Sequence, residues 1–258
     1  MTVKAKKHLG QHFLTDENIA KKIVDALSPN EMAKILEVGP GMGVLTKYLL
    51  EKNNEIFVAE IDQESVIYLQ KNYPKLEEKY FTGDFLKMDF MDFSNDEVLV
   101  IGNFPYNISS QILFKIIDHY STIPEMVGMF QKEVAERVAA VPRNKSYGIL
   151  SVLVQAYYQV DYLFTVHENV FNPPPKVKSG VIKLSRNPKP NLQGNEILFK
   201  QIVKAGFNQR RKKLSNALKI LQIPESLKTH QFMDQRAEEL SVEDFIAFAK
   251  LWQSEITS

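Results

Sequence analysis

A glycine-rich turn near residue 40 joins an apolar run to a helical pattern. It reads Glu37-Val-Gly-Pro-Gly-Met-Gly43 and completes the run KILEV, which predicts a buried strand. Glycines at such a turn let the backbone bend tightly and approach a ligand closely. Dinucleotide enzymes use GxGxxG, whereas this loop is GxGxG, and Pro40 lacks an amide that could hold a phosphate. The loop favours a nucleotide-like cofactor without phosphate, namely S-adenosylmethionine, over a dinucleotide.

Two acids follow the next two predicted strands. Glu60 ends the strand EIFVAEI, where a carboxylate can accept hydrogen bonds from both hydroxyls of a ribose. Asp84, in Gly-Asp-Phe after the short strand KYFTG, is placed to accept from an adenine amine. Either acid alone could be an ordinary exposed residue at a strand end. A glycine loop, a Glu and an Asp at three successive strand ends together predict a cofactor site.

The loop Asn103-Phe-Pro-Tyr106 follows the fourth predicted strand, EVLVIGN. An adenine amine is a poor nucleophile because its lone pair is delocalised into the ring. The Asn103 side-chain carbonyl and the Phe104 main-chain carbonyl could accept its two N–H bonds and favour a pyramidal nitrogen, while Pro105 stiffens the loop and Tyr106 stacks on the base. The nitrogen would then attack the sulfonium methyl in line as the carbon–sulfur bond breaks, and it would lose a proton afterwards, without a dedicated strong base. The alternative is an ordinary Pro-containing turn.

The amino-acid composition excludes several classes of reaction and of metal site. The 258 residues include no cysteine, which excludes disulfides, thiolate nucleophiles and cysteine-bound zinc or iron–sulfur clusters. Methylation of pyrimidine C5 through a thiolate nucleophile is therefore excluded, and so is radical methylation, which needs a cysteine-bound cluster. The five histidines show no metal-ligand spacing, so we expect no metal. The basic N-terminus has no signal-peptide apolar stretch and no run is long enough to span a membrane, which predicts a cytoplasmic location.

Helical and strand patterns alternate through the first half of the chain. Helices are predicted from about Asp16 to Ser28, from Gly43, from Gln63, through residues 112–117 and near VAERVAAV, with a further strand near EMVGMF. This rhythm predicts a parallel sheet with helices on both faces. The stretches VDYLFTV and SGVIKLS should pair antiparallel at one sheet edge.

A polar, breaker-rich run, NPKPNLQGN, reads as a linker between two domains. Beyond it the pattern is helical, including a capping box from Ser241 to Asp244. We therefore place a methyltransferase domain at residues 1–187 and a helical RNA- or substrate-binding domain at residues 188–258.

The chain resembles the ribosomal RNA adenine N6-dimethyltransferases, most of all the bacterial small-subunit group. The resemblance spans most of the chain and is carried by motifs in the expected order: HLGQHFL (8–14), EVGPGMG, AEID, GDF, NFPY, FNPPPKV (171–177) and FNQRRKKL (207–214). It implies an α/β class I methyltransferase with a Rossmann-like, mostly parallel seven-stranded sheet and a small C-terminal helical domain. It also implies dimethylation of two adjacent adenosines near the 3′ end of 16S ribosomal RNA in the assembling small subunit, by a protein that we expect to be a monomer.

Carried over position by position, the resemblance implies a set of cofactor contacts. They are His12, Leu14, Gly39, Glu60, Asp84 and Asn103, and we add Gly41, Ile61 and Phe85 beside them. The chain has His12 where many relatives have Asn, and Phe104 where Leu is usual. A ring nitrogen can still hydrogen-bond and a backbone carbonyl does not depend on its side chain, so these departures affect contact geometry more than activity.

Basic residues in the second half of the chain predict contacts with RNA. Between Asn169 and Pro224 there are twelve Lys or Arg and one acid, Glu196, although the net charge of the whole chain is only +1. Phe171 precedes three prolines and could offer its ring to a flipped base, with Lys176 and Lys178 at nearby phosphates. The alternative is a hydrophobic plug.

A denser basic cluster begins at residue 210. It consists of Arg210, Arg211, Lys212 and Lys213. Because no acid is close in sequence, phosphate contact is favoured over a solvated helix face.

Three other functions share some of these sequence features. Large-subunit dimethyltransferases share the N-terminal motifs but are not expected to carry FNQRRKKL followed by LSNAL. A DNA adenine methyltransferase would also use an Asn-Pro-Tyr loop, and its activity on naked duplex would distinguish it. A non-catalytic assembly or transcription factor would not need the intact glycine loop, Glu60 and Asn103.

Overall fold

The computed structural model describes residues 3–76, 81, 83–93, 96–188, 192 and 194–257. The chain divides into two compact units. The first comprises Met1–Ala135 and Val160–Arg186, and the second comprises Glu136–Gln159 and Asn187–Ser258.

The first unit is built on a six-stranded sheet. Its strands are β2 (Lys34–Val38), β3 (Ile56–Ala59), β4 (Val98–Asn103), β5 (Glu125–Gln131), β6 (Tyr158–Val166) and β8 (Ser179–Arg186). Their order is β3-β2-β4-β5-β8-β6. The first four strands run parallel and β8 runs antiparallel to β5. The predicted α/β, mostly parallel sheet is confirmed, and β6 and β8 are neighbours at one edge, as expected.

The helices of this unit follow the predicted alternation. They are α1 (Glu17–Asp25), α2 (Thr46–Leu49), α3 (Gln63–Asn72), α4 (Ser109–Asp118) and α5 (Lys132–Val138). Asp16 caps α1 by accepting hydrogen bonds from the amides of Asn18 and Ile19, and Asp62 caps α3 through the amide of Glu64. Side chains of Ile23, Ile35 and Ile101 are fully buried in one apolar cluster that stabilises the sheet.

A seventh strand was expected at KYFTG. Phe81 forms a parallel bridge to Val58, on the outer side of β3. The other positions of that stretch, apart from Gly83, lie outside the described residues.

A separate two-stranded sheet ties the N-terminal segment to a distant part of the unit. Strand β1 (Phe13–Leu14) pairs antiparallel with β7 (Phe171–Asn172). The Thr15 amide extends the pairing by donating to the Val170 carbonyl at 2.9 Å. The segment before α1 is thereby held against the unit's core.

The second unit is helical, as predicted. It contains α6 (Ile149–Gln155), α7 (Glu196–Asn208), α8 (Leu214–Ala217) and α9 (Val242–Thr257). The capping box is confirmed: the Asp244 amide donates to Ser241 Oγ at 3.0 Å, and the Ser241 amide donates to Asp244 Oδ2 at 2.9 Å. Part of the expected linker, residues 189–191 and 193, lies outside the described residues.

The division of the chain differs from the sequence boundary at residue 187. Segment Glu136–Gln159 belongs with the C-terminal helices, to which it is joined by side-chain and backbone hydrogen bonds. The buried Tyr147 donates to the Leu240 carbonyl at 3.0 Å, and the Arg143 amide donates to the Glu238 carbonyl at 2.7 Å. A boundary drawn along the sequence cannot represent a unit assembled from two separate stretches.

Within the residues described, no helix has both the length and the apolar character that a membrane crossing requires.

Candidate active site

The carboxyl ends of β2, β3 and β4 meet at one edge of the parallel sheet, and a cleft opens there. Ligands of open α/β sheets bind in the crevice at this end of the strands. The cleft lies in the first unit and is lined by Leu9, Gly10, Gln11, His12, Phe13, Val38, Gly39, Gly41, Ala59, Glu60, Ile61, Gly83, Asp84, Phe85, Asn103, Phe104, Pro105, Tyr106 and Ile108. Eleven of these nineteen residues are among those that the sequence predicts for the site.

The glycine loop is fixed against the end of β3. The Gly39 amide donates to the Ala59 carbonyl at 2.9 Å, and the Gly41 amide donates to Glu60 Oε2 at 3.1 Å. Both glycines have positive φ, 67° and 56°, which side-chain-bearing residues rarely adopt. A Cβ on Gly41 would also lie 2.7 Å from the Phe13 ring. The loop therefore needs glycine for conformation and for close approach.

Glu60 is a buried carboxylate on the wall of this cleft. Burial raises its pKa, and hydrogen bonds from the amides of Asp62 and Gly41 partly oppose that rise. The Asp62 amide donates to Oε1 at 2.9 Å, so each carboxylate oxygen is already oriented by one amide. Each oxygen has a further lone pair for a ligand hydroxyl. The geometry suits the expected contact with a ribose.

Asp84 and Phe85 line the same cleft beyond Glu60. Asp84 Oδ1 accepts from the Leu86 amide at 3.0 Å, which fixes the carboxylate, and the buried Phe85 supplies an apolar surface. Ile61 is 54% exposed although it lines the cleft, so an apolar side chain is left open to a ligand. These three residues suit a flat, apolar ring with a polar edge, such as adenine.

The loop Asn103-Phe-Pro-Tyr106, which we call the acceptor loop, places Asn103 and its neighbours at the cleft. Asn103 Nδ2 donates to the His12 carbonyl at 2.9 Å, and the Phe104 amide donates to the Met129 carbonyl at 3.1 Å. The Asn103 side-chain carbonyl accepts no hydrogen bond from the residues described. Tyr106 lies beside His12, with ring centroids 5.6 Å apart, and shares a 2.6 Å hydrogen bond with Ser179.

His12 and Leu14 were both expected to contact the cofactor. His12 lines the cleft, and its Nδ1 donates to the Pro173 carbonyl at 2.8 Å, which leaves Nε2 for a ligand. Leu14 does not line this cleft: its side chain is buried in the apolar cluster. It lines a smaller pocket together with Gly39 and Asn103, which also line the cleft, so its contact with the cofactor stays a prediction.

The N-terminal segment contributes more to the site than the sequence predicted. Lys6 pairs with the buried Asp62, and Gln11 Nε2 donates to Asp62 Oδ2 at 3.3 Å. Burial alone would raise the pKa of Asp62, but the hydrogen bonds from Lys6, Gln11 and Ser65 hold it below its ordinary value. Residues 9–13 are thereby held as one wall of the cleft. The motif HLGQHFL (8–14) covers these wall residues, but the pairing of Lys6 and Gln11 with Asp62 is not visible in the sequence.

Phe171 is not exposed. It is 4% accessible and packs within the apolar cluster, so the expectation that its ring faces a base is wrong and the hydrophobic-plug alternative holds. Lys176 and Lys178 are exposed, as RNA contacts require.

The basic cluster lies in the second unit, in the turn between α7 and α8. Arg210 donates to Glu238 at 2.5 Å and to the carbonyl of Lys145 at 2.6 Å, and Lys213 pairs with Asp234 at 2.9 Å. The expectation that no acid pairs with the cluster is therefore wrong, because both acids arrive from distant sequence. Arg211 and Lys212 are exposed and have no ion pair within the described part of the chain.

A second buried acid, Glu37, lies behind the glycine loop. Burial raises its pKa to about 8, against the opposing effect of a 2.6 Å hydrogen bond from Thr46 Oγ1. Glu37 does not line the main cleft. It is therefore a structural group under the loop. Among the described residues, no three His, Asp or Glu are grouped in a way that could hold a metal ion.

Comparison with known proteins gives the family. The model of the family described as ribosomal RNA adenine dimethylase matches residues 2–254. A relative from Cytophaga hutchinsonii, named ribosomal RNA small subunit methyltransferase A, is 57% identical over 94% of this chain and 95% of its own. A protein of the same name from Flavobacterium johnsoniae is 56% identical over 96% and 95%.

Solved structures agree with this assignment. A dimethyladenosine transferase from Plasmodium falciparum superposes with a TM-score of 0.82 at 25% identity, over 95% of this chain and 98% of that one. The 23S rRNA methyltransferase ErmE shares the fold with a TM-score of 0.71 at 21% identity, over 93% and 99%. The predicted fold class and enzyme class are confirmed: the chain is an S-adenosylmethionine-dependent methyltransferase that belongs to the ribosomal RNA adenine dimethylase family.

Proposed function

We propose that the protein transfers methyl groups to N6 of two adjacent adenosines near the 3′ end of 16S ribosomal RNA, in the assembling small subunit. It would act in the cytoplasm, as a monomer and without a metal. The residues that we assign to the chemistry are Asn103, Phe104, Pro105 and Tyr106.

The orientation of the Asn103 amide carries this proposal. Since Nδ2 is held by the His12 carbonyl, the group that Asn103 has left for a substrate is an acceptor, Oδ1. An adenine amine brings two N–H donors. With Oδ1 and the Phe104 carbonyl as acceptors, both N–H bonds are directed into the loop and the nitrogen lone pair is freed from the ring. The loop thus performs the activation that an aromatic amine requires.

The cleft suits S-adenosylmethionine, which supplies an electrophilic methyl carbon. Gly39 and Gly41 leave room for close approach, Glu60 can accept from ribose hydroxyls, and Asp84 with Phe85 can hold an adenine. Ile61 and His12 complete the binding set. A Cβ on Gly39 would meet nothing closer than the Asn103 carbonyl at 4.0 Å, so the space above that glycine is open.

RNA binding is assigned to exposed basic residues of both units. Lys176 and Lys178 project from the first unit, and Arg211 and Lys212 from the second. Phosphates are bound through such charges without regard to base sequence. Residues 1–187 would carry out methyl transfer and supply Lys176 and Lys178, and residues 188–258 would provide the other RNA contacts.

Labelled methyl donor and undermethylated small subunits test the proposal. Modified nucleotides are mapped by mass spectrometry after incubation with the purified protein, and dimethyladenosine is expected at two adjacent positions near the 3′ end. Large subunits and naked DNA duplex serve as parallel substrates. Methylation of large subunits or duplex in place of small subunits would overturn the assignment.

A further inference from the structure

Two glycines face each other across the centre of the sheet. Gly102 of β4 and Gly128 of β5 are register partners in adjacent parallel strands. Glycine is unfavourable inside a strand because it loses more backbone freedom on folding and has no side chain to pack. Such a pair in two central strands indicates that another group must approach the sheet closely at this point.

That group is the Phe104 ring. A Cβ on Gly128 would lie 2.1 Å from Phe104 Cε2 and 2.8 Å from Met126 Sδ, near the end of a flexible side chain. A Cβ on Gly102 would lie 3.0 Å from Phe104 Cε1. The two edges of the ring therefore lie over the two glycines and occupy the space of two β-carbons. The ring is 1% exposed, and Phe130 packs against it with centroids 4.9 Å apart.

The buried ring belongs to Phe104, whose main-chain carbonyl we assign as an acceptor for the substrate amine. The Phe104 amide is already bonded to the Met129 carbonyl, at 3.1 Å. The ring and the amide together fix Phe104 at two points on β5. The peptide that joins Asn103 to Phe104 is thereby held in place.

We propose that Gly128 is a positioning residue for methyl transfer. With Gly102 it forms a slot that seats the Phe104 ring and so holds the Asn103 side chain and the Phe104 carbonyl at the cleft. The inference rests on the function proposed for those two groups. Residues 104 and 128 then constrain each other, because a phenylalanine ring at 104 leaves no room for a Cβ at 128. Gly102 is fixed independently, because a Cβ there would lie 2.5 Å from the Val38 carbonyl.

A double-substitution cycle tests the inference. The variants are Gly128→Val, Phe104→Leu and the pair together, assayed on undermethylated small subunits with active sites counted by S-adenosylmethionine binding. Gly128→Val should lower kcat per active site by at least about tenfold, because a displacement of about 1 Å at reacting groups can cost 100-fold. Methyl-donor affinity should change less than kcat. Adding Phe104→Leu should restore most of the lost kcat, since the smaller side chain vacates the slot.

Several outcomes would overturn it. One is a parental kcat in Gly128→Val, and another is a folded double variant that is no more active than Gly128→Val. A purely structural role would be shown if the melting temperature fell in Gly128→Val and recovered in the double variant while kcat per active site stayed constant. If Gly128→Val fails to fold, Gly128→Ala with and without Phe104→Leu gives the same comparison with a smaller clash. Retained activity in Asn103→Ala would instead refute the proposed acceptor loop, whatever the cycle shows.

Discussion

Asn103 combines a satisfied donor with a free acceptor, and this asymmetry defines its role. The His12 carbonyl accepts from Nδ2, and no described residue donates to Oδ1. A side chain held in this way is oriented before a substrate arrives, so little entropy is lost when an amine binds.

We expect Asn103→Ala to lower methyl transfer by on the order of 100-fold or more, since an oriented acceptor at the reacting nitrogen is lost. Affinity for S-adenosylmethionine, measured by calorimetry, should change much less. Asn72→Ala, at an exposed asparagine at the end of α3, is the matched control. Full activity in Asn103→Ala would refute the assigned role.

Glu60 offers a second test at the scale of one residue. Glu60→Gln keeps the size of the side chain but replaces one oxygen by an NH2 group, which cannot accept from the Gly41 or Asp62 amide. We expect S-adenosylmethionine affinity to fall roughly tenfold to 100-fold, because hydrogen bonds to a charged acceptor are lost. Glu51→Gln, at an exposed position, should bind as the parent does. Unchanged calorimetric affinity in Glu60→Gln would contradict a ribose contact.

At the scale of elements, the turn between α7 and α8 separates two kinds of basic residue. Arg210 and Lys213 are tied to Glu238 and Asp234, whereas Arg211 and Lys212 are exposed to solvent. An ion pair within the unit competes with phosphate for the same cation. The exposed pair is therefore better placed for RNA.

We expect Arg211→Ala with Lys212→Ala to weaken RNA binding and to reduce the slope of log K against log salt by about 1 to 2, since up to two phosphate contacts are lost. Equilibrium binding at several salt concentrations measures this slope. Lys71→Ala with Lys75→Ala removes the same charge from an exposed region of the first unit and serves as control. Equal slopes in both double variants would show that the turn does not contact phosphates.

At the scale of the whole molecule, the buried Glu37 couples stability to pH. Its pKa is raised to about 8 in the folded chain, against an ordinary value of 4.5. Between these values the unfolded chain ionises while the folded chain keeps its proton. The folded state then binds more protons, so stability falls as pH rises through this window.

Glu37→Gln should remove this dependence while keeping an acceptor for Thr46 Oγ1. The unfolding free energy of the parent should fall relative to the variant by up to about 1.4 kcal/mol per pH unit between about pH 5 and pH 8. Urea titrations across that range measure the difference, with Glu51→Gln as the exposed control. Parallel pH profiles for the parent and Glu37→Gln would indicate that Glu37 is ionised in the folded protein.

The sequence determined the features that depend on short stretches of chain. The strands and helices around the cofactor cleft, the glycine loop, the strand-end acids Glu60 and Asp84, and the Asn103 loop all follow from local pattern, because parallel strands bring their carboxyl ends to one edge. The capping box before α9 is equally local.

Only the tertiary structure decided which side chains are free. Phe171 and Leu14 lie in the apolar cluster, Arg210 pairs with Glu238, and residues 136–159 join the C-terminal helices. The Phe104 ring rests over Gly128, from the next strand. Each depends on a partner far away along the chain, and no local periodicity or spacing specifies such a partner, because burial and pairing are properties of the folded arrangement.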